Sequence, residues 1–114
     1  KKQKVKLLGG SDEQNFSVPG FTFHREIEHF VNAKIAPINI IKAITLNPAE
    51  CLNVNKNVGS VKVGMVADLV ILNANPLESA SNLKNINAVI KFGSYYTVNQ
   101  LQELLDNSIL NDNK

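Results

Sequence analysis

The sequence predicts an α/β chain with one strand near its start, three helices, three or four strands, and a last helix. Three observations support this order. A short apolar stretch stops at Gly9-Gly10, apolar residues recur at helical spacing over 22–55, and β-branched runs with glycine turns follow Gly59. A lone opening strand cannot satisfy its own backbone groups, so residues 4–8 need a strand partner from elsewhere.

The helical part is predicted as three helices. The first takes Thr22 as its N-cap, and Phe23, Ile27, Phe30, Val31 and Lys34 follow one helical stripe. The second begins with Pro37, because proline is well suited to the first position of a helix. The third, PAECLNV, takes Asn47 as its N-cap and carries Cys51 and Leu52 inward.

The strands follow as GSVKVGMVADLVILNA, where two glycine turns lead into the apolar run 69–72. INAVIKFG and SYYT are predicted as two further strands around Gly93, with Val89 and Tyr96 in the core. A last helix should present Leu101, Leu104, Leu105 and Ile109 on one face.

Composition narrows the class of protein. The 114 residues include 44% hydrophobic and 19% charged positions, which is typical of a folded domain or part of one. The longest aliphatic run, 69–72, is far too short for a membrane span. Of twelve positive charges, four lie at residues 1–6, so the other eight face ten negative ones and no basic face for nucleic acid is expected. Cys51 is alone and cannot form an internal disulfide.

Four segments together resemble the C-terminal portion of metal-dependent amidohydrolases, and among these the imidazolonepropionase-like and Xaa-Pro dipeptidase-like members. They are GSD at 10–12, PGFTFHREIEHFV at 19–31, TLNPAECL at 45–52 and GSVKVGMVADLVILNANPL at 59–77. The last segment is the most specific, because each of its Gly, Ala, Asp and aliphatic positions has a separate structural role.

The resemblance implies an α/β fragment of a larger enzyme. Residues 1–56 would hold the last strand and closing helices of a (β/α)8 barrel, with strand eight, its loop and the helices that follow. Residues 57–97 would be the C-terminal share of a composite β-sandwich, and 98–114 a terminal helix and frayed tail.

Asp12 is the catalytic and metal-contacting residue that the resemblance implies. In such enzymes a carboxylate at the tip of strand eight touches a divalent metal and its bound water, and Asp12 after Gly-Gly-Ser matches that place. The ion lowers the pKa of the water, and the ionised carboxylate accepts its proton and later delivers it to the leaving nitrogen. Without the resemblance, an Asp after Gly-Ser is an ordinary turn or cap residue.

The same resemblance implies the surroundings of Asp12. The following loop would stand on the catalytic rim, where Glu13, Gln14, Asn15 and Phe16 are candidate substrate contacts, with a solvated loop as the equal alternative. The divalent metal, zinc by expectation, would be bound mainly by residues absent from this chain. Its partners would be the remainder of the parent barrel or a second copy, and a small-molecule substrate with a C–N bond, either a cyclic amide or a dipeptide.

Other reactive side chains receive structural interpretations. His24 and His29 are five residues apart on a helix, about 140° apart around its axis, and do not easily share a metal. Cys51 is expected to be a buried, inert thiol. Asp68 interrupts an apolar strand and is expected to accept hydrogen bonds near the turn after Gly64.

The rival hypothesis is a self-standing interaction or scaffold module that keeps the sandwich half and has no catalysis. It predicts a monomer whose apolar faces are covered, whereas a fragment should expose the apolar faces of strand eight and its helices.

Overall fold

The computed structural model describes residues 5–11 and 20–111, with side chains up to residue 108. Within these ranges the helices are α1 (Phe21–Asn32), α2 (Pro37–Ile44), α3 (Leu46–Cys51) and α4 (Val98–Asn111). The strands are β1 (Leu69–Leu72), β2 (Ile86–Lys91) and β3 (Ser94–Thr97), and a 3₁₀ helix, η1 (Ala80–Lys84), lies between β1 and β2. The α/β class and the order of helices before strands are confirmed.

Helix α1 contains the predicted stripe as far as Val31, but it begins two residues earlier than predicted and ends at Asn32, before Lys34. Ile27 is its buried residue, and Phe23, Phe30 and Val31 pack around the same core. The N-cap is Gly20, with φ of 83°, and not Thr22, which lies within the first turn. Glycine adopts this left-handed backbone without the steric cost that a Cβ brings, so the chain can turn into the helix there.

Helix α3 differs from its prediction in phase. It starts at Leu46, so Asn47 lies inside the helix and the preceding Thr45 occupies the cap. Its buried residue is Ala49, and the helix ends at Cys51, so Leu52 lies past its last turn. Cys51 and Leu52, expected to face inward, are both exposed.

The three strands form one antiparallel sheet in the order β1-β2-β3. Val70 pairs with Val89 across β1 and β2, and Val89 pairs with Tyr96 across β2 and β3. Ala88 is the fully buried residue of β2, while Val89 and Tyr96, predicted for the core, are half-buried. The short side chain lies where packing is closest, which hydrophobicity alone did not indicate.

The core joins the helices to the connection between two strands. Ile27 of α1, Ile40 of α2 and Ala80 of η1 form its buried centre, and Leu83 of η1 packs against them. Lys84 also pairs with Glu28 of α1. The 3₁₀ helix η1 therefore connects the sheet to the helices, by packing in the core and by this ion pair.

Gly59 allows the segment that leads to the sheet to lie close against the helices. Gly59 has φ of 93°, and a Cβ there would lie 2.6 Å from the Ala49 Cβ and 3.1 Å from the Thr45 carbonyl oxygen. The chain therefore leaves the helices and turns toward β1 at a position that excludes larger residues.

Residues 5–10 form no strand, although a buried strand was predicted there. Val5, Leu7 and Leu8 are exposed, with Val5 at 80%. The physical reason is that strands form through ladder hydrogen bonds to a neighbour, and the three strands of the described sheet pair only among themselves.

Candidate active-site segment

Asp12, the predicted catalytic and metal-contacting residue, lies outside the described residues. So do the four predicted substrate contacts, Glu13, Gln14, Asn15 and Phe16. The structure describes the backbone that leads to them, up to Ser11, and the helix that follows them, from Phe21.

The segment leading to Asp12 is held against the helices at Gly9. The Gly9 backbone N–H donates to the Ala43 carbonyl oxygen at 2.9 Å. A Cβ at Gly9 would lie 2.7 Å from Cγ2 of Ile44 and 3.3 Å from Cε2 of Phe30. Because no side chain separates them, the backbone here lies directly against α1 and α2.

Two further contacts, neither of them predicted from the sequence, hold the start of the same segment. The Asn47 side-chain amide donates to the Leu7 carbonyl oxygen at 2.8 Å. Lys6 pairs with Glu50 of α3. Asn47 thus acts as a tether rather than as a helix cap. No spacing in the sequence links residues forty positions apart, so no signal could have revealed these contacts.

A metal centre needs about three protein ligands. Among residues 5–11 and 20–111, no three His, Cys, Asp or Glu side chains come together as a possible metal site. The described residues therefore do not fit a complete centre, and a metal bound by any of them would need ligands from outside the described ranges.

The two histidines occupy different environments on α1. His29 is exposed, whereas His24 is half-buried with its ring edge toward Phe23, the ring centroids being 6.4 Å apart. The Nδ1 atom of His24 is buried and has no hydrogen-bond partner among the described residues.

Asp68 accepts hydrogen bonds, as predicted, and its donors come from the β2–β3 turn. Its Oδ2 accepts from the Lys91 Nζ at 2.6 Å and its Oδ1 from the Phe92 backbone N–H at 2.8 Å. The Lys91 hydrogen bond, followed by that from Phe92, lowers the pKa of Asp68 below its usual value. The carboxylate ties the start of β1 to that turn, which is a structural role.

Cys51 is exposed, although it was predicted to be buried. It is the last residue of α3, while Ala49 is the buried residue of that helix. Among the described helices, none has the length and apolar character required to cross a membrane.

The chain matches the model of the amidohydrolase family over residues 1–97. It therefore belongs to the amidohydrolase family, and the resemblance inferred from its motifs is confirmed. No curated protein matches it.

Solved structures of hydrolases are similar to this chain. A Xaa-Pro dipeptidase with methionine bound in its active site is 31% identical, with a TM-score of 0.61 over 66% of this chain and 18% of that one. Molinate hydrolase is 30% identical, with a TM-score of 0.60 over 64% and 16%. A Bifidobacterium longum protein assigned as a prolidase is 33% identical, with a TM-score of 0.61 over 81% and 24%. The aligned part is thus less than a quarter of each relative.

Proposed function

We propose that this chain forms the C-terminal part of a metal-dependent hydrolase that cleaves C–N bonds, acting on a dipeptide or a cyclic amide. Membership of the amidohydrolase family supports hydrolysis, and the Xaa-Pro dipeptidase and prolidase among its structural neighbours favour a dipeptide. Molinate hydrolase, by its name, acts on a different compound. Because two of the three neighbours are named for dipeptide cleavage, dipeptides are the first compound class to test.

The observation that carries this proposal is the exposed apolar segment before Asp12. Residues 5–8 lie against α3 on one side through Asn47 and Lys6, while Val5, Leu7 and Leu8 are exposed. This is what we expect of a barrel strand whose neighbours lie on other polypeptide. A self-standing scaffold module would cover these side chains, so their exposure argues against that alternative.

In this proposal residues 1–56 complete a (β/α)8 barrel, residues 57–97 belong to a composite β-sandwich, and residues 98–114 form the terminal helix and tail. The family match ends at residue 97, which is the last residue of β3. This end supports the proposed boundary between residues 97 and 98.

Asp12 is proposed as this chain's contribution to the chemistry. Its carboxylate would contact a divalent metal, zinc by expectation, whose other ligands lie outside this sequence. The carboxylate would accept a proton from the attacking water and return it to the leaving nitrogen. Glu13, Gln14, Asn15 and Phe16 are proposed to contact substrate from the same loop.

Substitution of Asp12 tests this assignment. In the longer polypeptide that contains this chain, Asp12→Asn should lower kcat by about 10² to 10⁴, the usual contribution of a general acid–base group. The 114-residue chain alone should show no turnover of Xaa-Pro dipeptides with Zn²⁺, Mn²⁺ or Co²⁺ added.

Asp68→Asn is the matched control, because it neutralises a carboxylate of structural role and should leave kcat unchanged. Circular dichroism checks that both variants fold. Turnover by the isolated chain, or an Asp12→Asn variant as active as the parent, would overturn the proposal.

A further inference from the structure

Two backbone groups of the segment that leads to Asp12 are hydrogen-bonded to the helical part of the chain. The Leu7 carbonyl oxygen accepts from the Asn47 side-chain amide at 2.8 Å, and the Gly9 N–H donates to the Ala43 carbonyl oxygen at 2.9 Å. Because these groups lie two residues apart, the pair fixes the direction of the segment as well as its position. The first of the two bonds comes from a side chain, so a substitution of Asn47 can remove it.

The helical side of these contacts is firmly packed. Ala43 is fully buried, and Ala49, two residues after Asn47, is 5% exposed. Asn47 lies between them in the sequence, near the start of α3, and is itself half-buried. Close-packed interiors have low compressibility. The Asn47 amide is therefore a fixed point to which the segment is attached.

The other described contacts of the segment are weaker. The side chains of the Lys6–Glu50 ion pair are 62% and 32% exposed, and exposed pairs of this kind contribute little. Leu7 and Leu8 are 43% and 48% exposed, so burial of their side chains also holds the segment weakly. The two backbone hydrogen bonds and the packing at Gly9 are thus the contacts that hold the segment in place.

We propose that Asn47 is a positioning residue for the hydrolytic site, because its amide holds the Leu7 carbonyl and thereby sets the place of Asp12. This inference rests on the catalytic role proposed for Asp12. Asp12 follows Gly9 by three residues, so the two Cα atoms are within about 11 Å of each other. A shift of the segment on the helices reaches the carboxylate over this short distance, and a displacement of about 1 Å can lower a rate by about 10².

Steady-state kinetics of Asn47→Ala test this inference in the longer polypeptide that contains this chain, with Zn²⁺ and an Xaa-Pro dipeptide. We expect kcat to fall by about tenfold to a hundredfold. In an Asp12→Asn background the same substitution should change kcat by less than about twofold, because a residue that acts through Asp12 then has nothing left to position. Asn47→Asp keeps the shape of the side chain and removes the N–H donor. It should show the same loss, and it replaces Asn47→Ala if that variant does not fold.

Amide exchange provides a readout that does not depend on turnover. The Gly9 N–H is protected while the segment stays on the helices, where it donates to Ala43. In Asn47→Ala its exchange should become about tenfold faster, as the loss of one hydrogen bond predicts.

Asn82→Ala is the matched control. Asn82 is also half-buried, and its side-chain amide also donates to a backbone carbonyl oxygen at 2.8 Å, that of Asn75. The control should leave kcat and Gly9 exchange unchanged, and circular dichroism should show all variants folded.

Three results would overturn the inference while Asp12→Asn still lowers kcat. They are equal effects of the two alanine substitutions on kcat, an equal loss from Asn47→Ala with and without the Asp12 carboxylate, and Gly9 exchange that Asn47→Ala leaves unchanged. An Asp12→Asn variant as active as the parent would instead overturn the proposed function, and this inference with it.

Discussion

Asp68 makes the clearest electrostatic contribution of a single residue. Its carboxylate accepts from Lys91 and from the Phe92 backbone N–H, and these hydrogen bonds lower its pKa in the folded state. A pKa that is lower in the folded than in the unfolded chain adds stability above the unfolded value, about 3.9. That stability is lost as the pH falls through the folded value.

Asp68→Asn should therefore lower the midpoint of urea unfolding at pH 7, and the difference from wild type should shrink below about pH 4, where the unfolded carboxyl is protonated. Urea titrations at pH 7 and pH 3 measure it. Glu103→Gln removes an exposed carboxylate of α4 and serves as the control. An Asp68→Asn difference that stays constant across this range would contradict the assigned ion pair.

Single residues were predicted well where their chemistry is local. The need of Asp68 for hydrogen-bond donors followed from a carboxylate within an apolar strand, and Pro37 correctly marked the start of α2. The prediction that Cys51 is buried was wrong, because burial depends on which face of α3 packs against the rest of the chain, and that face carries Ala49. Asn47 was also misassigned, since its partner Leu7 is forty positions away.

At the scale of elements, the periodic patterns predicted α1, α2 and the three strands, because each pattern buries one face of its own element. The segment 5–8 was different. Its apolar residues indicate a strand, but a strand is completed by its neighbours, and the described sheet does not extend to it. Asp12, inferred from the resemblance, stays a prediction. Apart from the small side chain of Ala80, nothing in the sequence indicated that η1 packs between the sheet and the helices.

A larger side chain at Ala80 tests whether the packing of η1 stabilises the fold. Ala80 is 2% exposed and lies between Ile27 and Ile40. Ala80→Leu should lower the free energy of unfolding by about 1–3 kcal/mol, because a filled core accommodates extra methylene groups only with strain. Urea denaturation measures the change.

Ser81→Leu adds the same side chain at the next residue of η1, which is exposed. A surface substitution of this kind should change stability by no more than about 0.5 kcal/mol. Equal effects at positions 80 and 81 would show that η1 is not fastened to the helices as described.

At the scale of the whole molecule, the helical and sheet parts share one core, and this determines how the chain should unfold. Ala80 and Leu83 link the connection between β1 and β2 to α1 and α2, and Gly59 brings the chain against α3. Helical circular dichroism reports the first part and the fluorescence of Tyr95 and Tyr96 the second, since the sequence has no tryptophan. Both signals should change at the same urea concentration, because neither part keeps a complete core without the other. Two separated transitions in one sample would instead show that the parts fold independently.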